Sequence, residues 1–255
     1  MLTINEIFHS IQGESRRAGE PCVFVRLTAC DLRCSWCDTP YAFHEGAKRT
    51  LDDVIATVEQ YGCPLVEVTG GEPLLQEDVY PLMQRLLDSG HTVMIETGGH
   101  RSIARVPGAV LKIVDVKCPG SGEHERNCWE NLDLVTSHDE IKFVLKDRAD
   151  YDYAVDVVRR HNLAGRVGAI HFSAVHGVLD PRVLSEWVLA DRLASLLVQA
   201  CPGRIEQLRV MTQGEIGERS QRPIQVAALA AALRYDADGL ITPVNAEAVA
   251  RDFKV

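Results

Sequence analysis

Cys30, Cys34 and Cys37 stand in one short run, Cys-Asp-Leu-Arg-Cys-Ser-Trp-Cys, just after the apolar stretch Cys22-Val-Phe-Val-Arg-Leu. Three thiolates spaced C-x3-C-x2-C on a flexible loop can wrap one face of a cuboidal iron–sulfur cluster, each gripping a different iron. The fourth iron then has no ligand from the motif and is open to a substrate or cofactor. The plain alternative is a helical stripe of buried, inert thiols at i, i+4 and i+7. Pro40, three residues past Cys37, and the charges of Asp31, Arg33 and Asp38 interrupt such an apolar face. The residues favour the cluster.

Other positions admit two readings each. The adjacent Gly70 and Gly71 let a backbone approach a ligand closely, although Thr69-Gly-Gly-Glu-Pro73 taken alone is an ordinary strand-to-helix turn. Thr39 is by type a turn or N-cap hydroxyl. Arg26, inside Val23-Phe-Val-Arg-Leu, is either the solvent-side member of an alternating strand or an inward anion clamp. Gln12-Gly-Glu14 reads as a polar turn, Lys117-Cys118 as a lysine and a buried thiol at a turn, and His176 as a surface histidine. Cys22, Cys63, Cys118, Cys128 and Cys201 show no second metal spacing, and a Zn²⁺ site from Cys118 and Cys128 is a weak pattern.

The elements that must position these residues alternate between strand and helix. Strands are expected over 2–12, 22–29, 65–69, 92–97, 110–116, 141–145 and 166–172. Helices are expected from the capping-box start Thr50-Leu-Asp-Asp53, over about 77–89, over 148–161 and over 180–200. Strands separated by helical stretches imply right-handed βαβ units and a parallel sheet. About six such units predict an α/β partial barrel with helices outside and chemistry at the C-terminal strand ends, where each sharp motif falls. Gly120-Ser-Gly122 looks like the most flexible interior point. Residues 1–200 are expected to form the barrel domain, 201–222 a linker-like stretch and 223–255 a terminal appendage, together an atypical C-terminal extension.

Composition bounds the reading. Of 255 residues, 46% are hydrophobic and 25% charged, as in ordinary soluble globular proteins. No run of 18 apolar residues and no basic or apolar leader occurs, so a cytoplasmic, non-membrane protein is expected. Eight cysteines in such a chain suggest metal chemistry and reduced thiols more than a disulfide frame. A net charge of −9 argues against a broad nucleic-acid-binding face.

C-x3-C-x2-C after the first core strand resembles the signature of radical S-adenosylmethionine enzymes. Glu6-Ile-Phe-His-Ser-Ile-Gln12-Gly-Glu14, Val23-Phe-Val-Arg26, Cys37-Asp-Thr39, Thr69-Gly-Gly-Glu-Pro73 and Ile95-Glu-Thr97 together resemble the 7-carboxy-7-deazaguanine synthase family, up to about Leu189. The resemblance implies a partial (β/α)6 radical SAM barrel holding a [4Fe–4S] cluster on Cys30, Cys34 and Cys37. It implies S-adenosylmethionine against Trp36, Cys37, Asp38, Gly71, Asp115, Val116, Lys117, Ser173, Ala174, Val175 and His176, with Mg²⁺ at Thr39. A pterin substrate would meet Ile11, Gln12, Gly13, Arg26 and Thr69, with Arg26 on its carboxylate and Glu14 and Glu96 as candidate catalytic groups.

The implied reaction is a ring contraction. A 5′-deoxyadenosyl radical takes hydrogen from carbon 6 of 6-carboxy-5,6,7,8-tetrahydropterin, and ammonia is lost to give 7-carboxy-7-deazaguanine, on the way to queuosine. A flavodoxin- or ferredoxin-type electron donor, a homodimer and no direct nucleic-acid contact are implied as well. Family members usually end with a Gln-x-His-Lys tail that closes over the substrate, and no His-Lys pair follows Leu193 here. Two rivals share the thiols. A glycyl-radical-activating enzyme is disfavoured by Gln12-Gly-Glu14 and Asp38-Thr39. A non-catalytic redox or sensor protein would need a fourth cysteine ligand, from Cys63 or Cys22.

Overall fold

The computed structural model describes residues 1–200. The expected linker and appendage, with Cys201, lie outside the described residues. In chain order the elements are β1 (Leu2–Ile11), β2 (Pro21–Leu27), β3 (Ala47–Arg49), α1 (Leu51–Gln60), β4 (Leu65–Gly70), α2 (Val79–Asp88), β5 (Thr92–Thr97), β6 (Leu111–Asp115), α3 (Asn131–Leu134), β7 (Glu140–Leu145), α4 (Arg148–Arg160), β8 (Ala169–Ala174) and α5 (Pro181–Ala200). No helix among them is long and apolar enough to cross a membrane.

One sheet takes the order β3-β1-β2-β4-β5-β6-β7-β8. From β2 through β7 the pairings are parallel, as the alternation of strands and helices requires. β1 and β3 were not foreseen as an antiparallel edge, with β1 pairing antiparallel to both β2 and β3. The short turn after Ile11 returns the chain directly into β2, which permits only antiparallel pairing. Parallel strands covered on both faces are expected to be apolar throughout. β4 and β6 are buried almost end to end, which makes the polar residues within them conspicuous.

The described residues fall into two compact groups, one of residues 1–146 with 153–173, the other of 147–152 with 174–200. In the first, α1 starts as its sequence predicts. Thr50 accepts from the Asp53 amide at 3.1 Å while the Asp53 carboxylate accepts from the Thr50 amide at 3.3 Å. Its apolar stripe, Val54, Ile55 and Val58, is buried. In the second group, Tyr151 and Trp187 lie ring to ring at 5.7 Å.

Candidate active site

Every motif singled out in the first group sits at or beyond the C-terminal end of a strand. The cysteine loop leaves β2 through Ala29, whose φ of +84° is a left-handed conformation uncommon for a residue with a Cβ. Its backbone is held by Ala29 N–H donating to the Ala42 carbonyl at 2.8 Å and Cys37 N–H to the Cys34 carbonyl at 3.1 Å. All three thiols are partly exposed. Burial pushes the Cys30 and Cys34 thiols up, and the Lys117 ammonium pulls Cys34 back.

The turn at 120–122, expected to be flexible, is a fixed buttress of this loop. Ser121 is buried and its hydroxyl donates to the Cys118 carbonyl at 2.6 Å. Ser35, inside the cysteine loop, donates its amide to the Ser121 carbonyl at 3.0 Å and its hydroxyl to Gly120 at 2.9 Å. Glycine and serine composition suggested freedom; hydrogen bonding removed it.

Asp31 anchors the loop from its other side. It accepts from Arg101 at 2.5 Å and from Arg126 at 2.7 Å, and pairs with His100 Nε2 at 2.6 Å. Burial opposes its charge, but these hydrogen bonds outweigh burial and hold the carboxyl below the usual range. Behind His100 lies Glu72, fully buried, which accepts from Leu74 N–H at 3.0 Å, the Thr97 hydroxyl at 2.9 Å and Gly98 N–H at 2.8 Å. That carboxylate stitches the exit of β4 to the exit of β5. The Gly71 amide donates to the Leu27 carbonyl at 3.2 Å and the Glu72 amide to the Ala29 carbonyl at 2.8 Å, so that a Cβ added at Gly71 would meet Ala29 O at 2.4 Å and Cys30 Cβ at 2.8 Å. Only a bare backbone fits against the cysteine loop there.

Thr39 precedes a short 3₁₀ turn but makes no capping bond. Its hydroxyl lies 4.0 Å from Cys37 Sγ, and either atom can donate in that contact. Beyond β6, Lys117 Nζ pairs with Asp115 Oδ2 at 2.6 Å, while Asp115 Oδ1 is buried without a partner. Burial lowers the Lys117 ammonium, but Asp115 and then Cys34 outweigh it and raise it. Three partly exposed thiols on one loop, a bare glycine and an orphaned carboxylate oxygen are of the types that a cluster with an amino-acid-bearing cofactor beside it needs. Trp36 and Cys37 are half-buried and Asp38 is exposed on that loop; Val116 is buried. Ser173 stands near the end of β8 in the first group. Ala174, Val175 and His176 belong to the second, where Val175 is buried and His176 exposed.

A second polar set lines alternate positions of the strands, which share a face because the side-chain period is two. Arg26 on β2 is in register with Thr69 on β4, and Glu67 lies two residues before it. Thr69 and Glu67 are both buried. Glu67 accepts from the Gln12 side-chain amide. Burial and then the charge of Glu96 push the Glu67 carboxyl up to about 8. On β7, Lys142 Nζ bridges Glu14 and Glu96, reaching the latter at 2.8 Å. Burial opposes the charges on Lys142 and Glu96, but each outweighs it for the other, raising the ammonium and lowering the carboxyl.

In the turn after β1, Gln12 Oε1 accepts from Glu14 N–H at 3.1 Å and its amide nitrogen donates to Glu67. The side chain is 4% exposed, so it shapes the turn, whereas Ile11 and Gly13 stand exposed on either side. Arg16 completes the fastening, donating through Nε to Glu140 at 3.0 Å beside Gly168, where a Cβ would strike the guanidinium at 2.5 Å.

Sequence reasoning missed Glu67, Lys142, Asp31, His100 and Glu72 as parts of the site. A signal existed for the first two, since Glu67 is the lone charge of apolar β4 and Lys142, with Glu140, interrupts the apolar run of β7. The other proposed ligands fare poorly. Cys22 is buried at the start of β2, its thiol pushed up to about 12 by burial and Glu67, and Cys63 donates to the Pro21 carbonyl at 3.3 Å. At ~3.3 Å per residue, β2 separates Cys22 from the cysteine-loop end by roughly 16 Å. Among the described residues no three His, Cys, Asp or Glu side chains are gathered as a metal-ligand group, and this holds for Cys30, Cys34 and Cys37 as it does for Cys118 and Cys128.

Residues 25–176 match the family model of the Radical SAM superfamily. Over 206 residues the chain is 50% identical to the 7-carboxy-7-deazaguanine synthase of Koribacter versatilis, covering 75% of this chain and 91% of that one. It is 45% identical to the 7-carboxy-7-deazaguanine synthase of Chlorobaculum tepidum, covering 75% and 88%. The crystal structure of QueE from Escherichia coli has the same fold, with a TM-score of 0.58 at 24% identity, covering 75% of this chain and 91% of that one.

Proposed function

Since the chain belongs to the 7-carboxy-7-deazaguanine synthases of the radical SAM superfamily, we propose that it turns 6-carboxy-5,6,7,8-tetrahydropterin into 7-carboxy-7-deazaguanine with loss of ammonia. The observation that carries the reading is the charged face of β2, β4, β5 and β7, tied to the three-thiol loop by Lys117, whose ammonium acts on both Glu96 and Cys34. When bound, the [4Fe–4S] cluster and S-adenosylmethionine supply a 5′-deoxyadenosyl radical for hydrogen abstraction.

The chain's own residues hold and orient. Cys30, Cys34 and Cys37 hold the cluster, Gly71 and the Asp115-Val-Lys117 exit receive S-adenosylmethionine, and Thr39 offers an oxygen to Mg²⁺. Ser173, near the end of β8, extends that cofactor site. Arg26 grips the pterin carboxylate, and Thr69 and the 11–14 turn border the ring. Ammonia must leave with a proton, and aromatisation releases one from carbon. Glu96 and Glu14, bridged by Lys142, form the set that accepts and returns protons in this pocket. A flavodoxin or ferredoxin supplies the electron, and the working unit is a homodimer. The redox or sensor alternative needs a fourth thiol, and Cys22 and Cys63 lie at the opposite strand ends.

The test is anaerobic reconstitution with dithionite and S-adenosylmethionine, measuring 5′-deoxyadenosine with and without the carboxytetrahydropterin. Cleavage that rises with pterin and yields a deazapurine chromophore is the expected outcome. Cleavage indifferent to pterin would overturn the substrate, and an intact cluster without cleavage would overturn the enzyme.

A further inference from the structure

Arg26 is not held alone. Its Nε donates to Glu6 Oε1 at 2.8 Å, and the Tyr41 hydroxyl donates to the same oxygen at 3.2 Å. Glu6 and Arg26 are direct cross-strand partners in β1 and β2, and the register of β1 shifts between Ile4 and Glu6. Bulges of this kind re-aim a side chain, and they gather beside active sites. The guanidinium carbon lies 5.9 Å from the ring centroids of both Phe8 and Tyr41, so two aromatic rings restrict its swing. Among the described residues, neither terminal nitrogen of Arg26 bonds to a protein acceptor. Those two nitrogens are the edge that grips a carboxylate in the parallel two-bond geometry. The Arg26 side chain is only 15% exposed.

We propose that Glu6 is the positioning residue of the carboxylate clamp: with Tyr41 it occupies the Nε edge of Arg26 and leaves the two terminal nitrogens presented to the substrate's carboxylate. The proposal rests on the pterin reading above and deepens it. Glu6 acts as an acceptor, so an amide in its place serves. Tyr41 follows Thr39 and Pro40, so it ties the clamp to the loop proposed to carry Mg²⁺, and both carboxylate-binding groups share one support. A positioning role of this kind acts on binding of the carboxylate and not on the chemical step, which separates it from general support of the sheet.

The experiment uses the reconstituted full chain and its Glu6→Ala, Glu6→Gln and Tyr41→Phe variants. KM and kcat are measured for 6-carboxytetrahydropterin, and Kd for tetrahydropterin lacking the carboxylate. Glu6→Ala raises KM about tenfold, on the scale of a lost charge-assisted hydrogen bond, with kcat within twofold and the carboxylate-free pterin bound as before. Glu6→Gln stays within threefold of the parent, and Tyr41→Phe raises KM by a smaller factor for the carboxylated ligand alone. Equal weakening of both pterins, or a Glu6→Gln variant as impaired as Glu6→Ala, overturns the proposal. A parent protein that binds the two pterins equally overturns the substrate reading, and the clamp with it. Should Glu6→Ala not fold, Glu6→Gln and Tyr41→Phe decide between the same outcomes.

Discussion

Replacing Lys142 by methionine keeps the length of the side chain and removes the cation that Glu96 and Glu14 share. At 2.8 Å and an effective dielectric near 20, the attraction to Glu96 is about 6 kcal/mol before desolvation is counted. Glu14 is 51% exposed, so its share is screened and small. Glu96 then remains among protein groups with Glu67 beside it and only the weaker pull of Lys117 and Arg26 to offset its charge, close to the situation in which breaking a pair costs about 3–5 kcal/mol. The chain can escape by protonating Glu96, at about 1.36 kcal/mol for each pH unit between its free value near 4.3 and the working pH. At pH 7 that caps the cost at about 4 kcal/mol. Lysine holds the Glu96 carboxyl below its ordinary value in the parent, which stabilises the fold above that value and is lost as pH falls. Without lysine, burial raises the same carboxyl, and stability is lost as pH rises. The difference between parent and variant therefore grows from near pH 4 to pH 7. Urea unfolding of the metal-free chain, followed by circular dichroism at a series of pH values, measures it. A loss below about 1 kcal/mol, or one independent of pH, would refute the account.

Gly71→Ala drives a Cβ into the Ala29 carbonyl and Cys30; the cysteine loop must move, and iron bound per chain after reconstitution falls severalfold. Asp31→Ala frees His100, Arg101 and Arg126 together, costing about 1–3 kcal/mol at pH 7 in the same unfolding assay. Because Asp31 is held below its ordinary value, that cost shrinks as pH falls below about 4. Thr50→Ala removes the hydroxyl that accepts from the Asp53 amide, leaves the residue-50 amide on the Asp53 carboxylate, and lowers stability by about 1 kcal/mol without changing activity. Cys22→Ser leaves the cluster spectrum unchanged, whereas Cys34→Ser abolishes it.

Much of this molecule was legible before its coordinates. The parallel core from β2 to β7 followed from apolar runs alternating with amphipathic stretches, and the α1 cap from four residues. The site motifs fell at strand ends for the same reason, since a strand must hand its chain to a loop there. The antiparallel edge was less legible, because β1 alternates no differently from a parallel strand and only its short return fixes its direction. The bonds that discipline the 120–122 turn come from Ser35, some 85 residues away, and no local pattern reports such a partner. Gln12 shows the same limit. The buried Glu67 that its amide meets lies 55 residues on, and only the sheet brings the two together.

The fastening of the turn after β1 restricts how the chain can vary. Gln12, Glu14 and Arg16 reach inward to Glu67, Lys142 and Glu140, while the residues between them do not share these partners. These contacts are made from bends and a turn, with Ser15 left-handed at φ +65° between Glu14 and Arg16, so each depends on the backbone conformation of the step before it. Inserting or deleting a residue between Gln12 and Arg16 would break that succession and draw the turn away from Glu140 and Lys142. The length of this segment is therefore as constrained as the three residues that make its contacts.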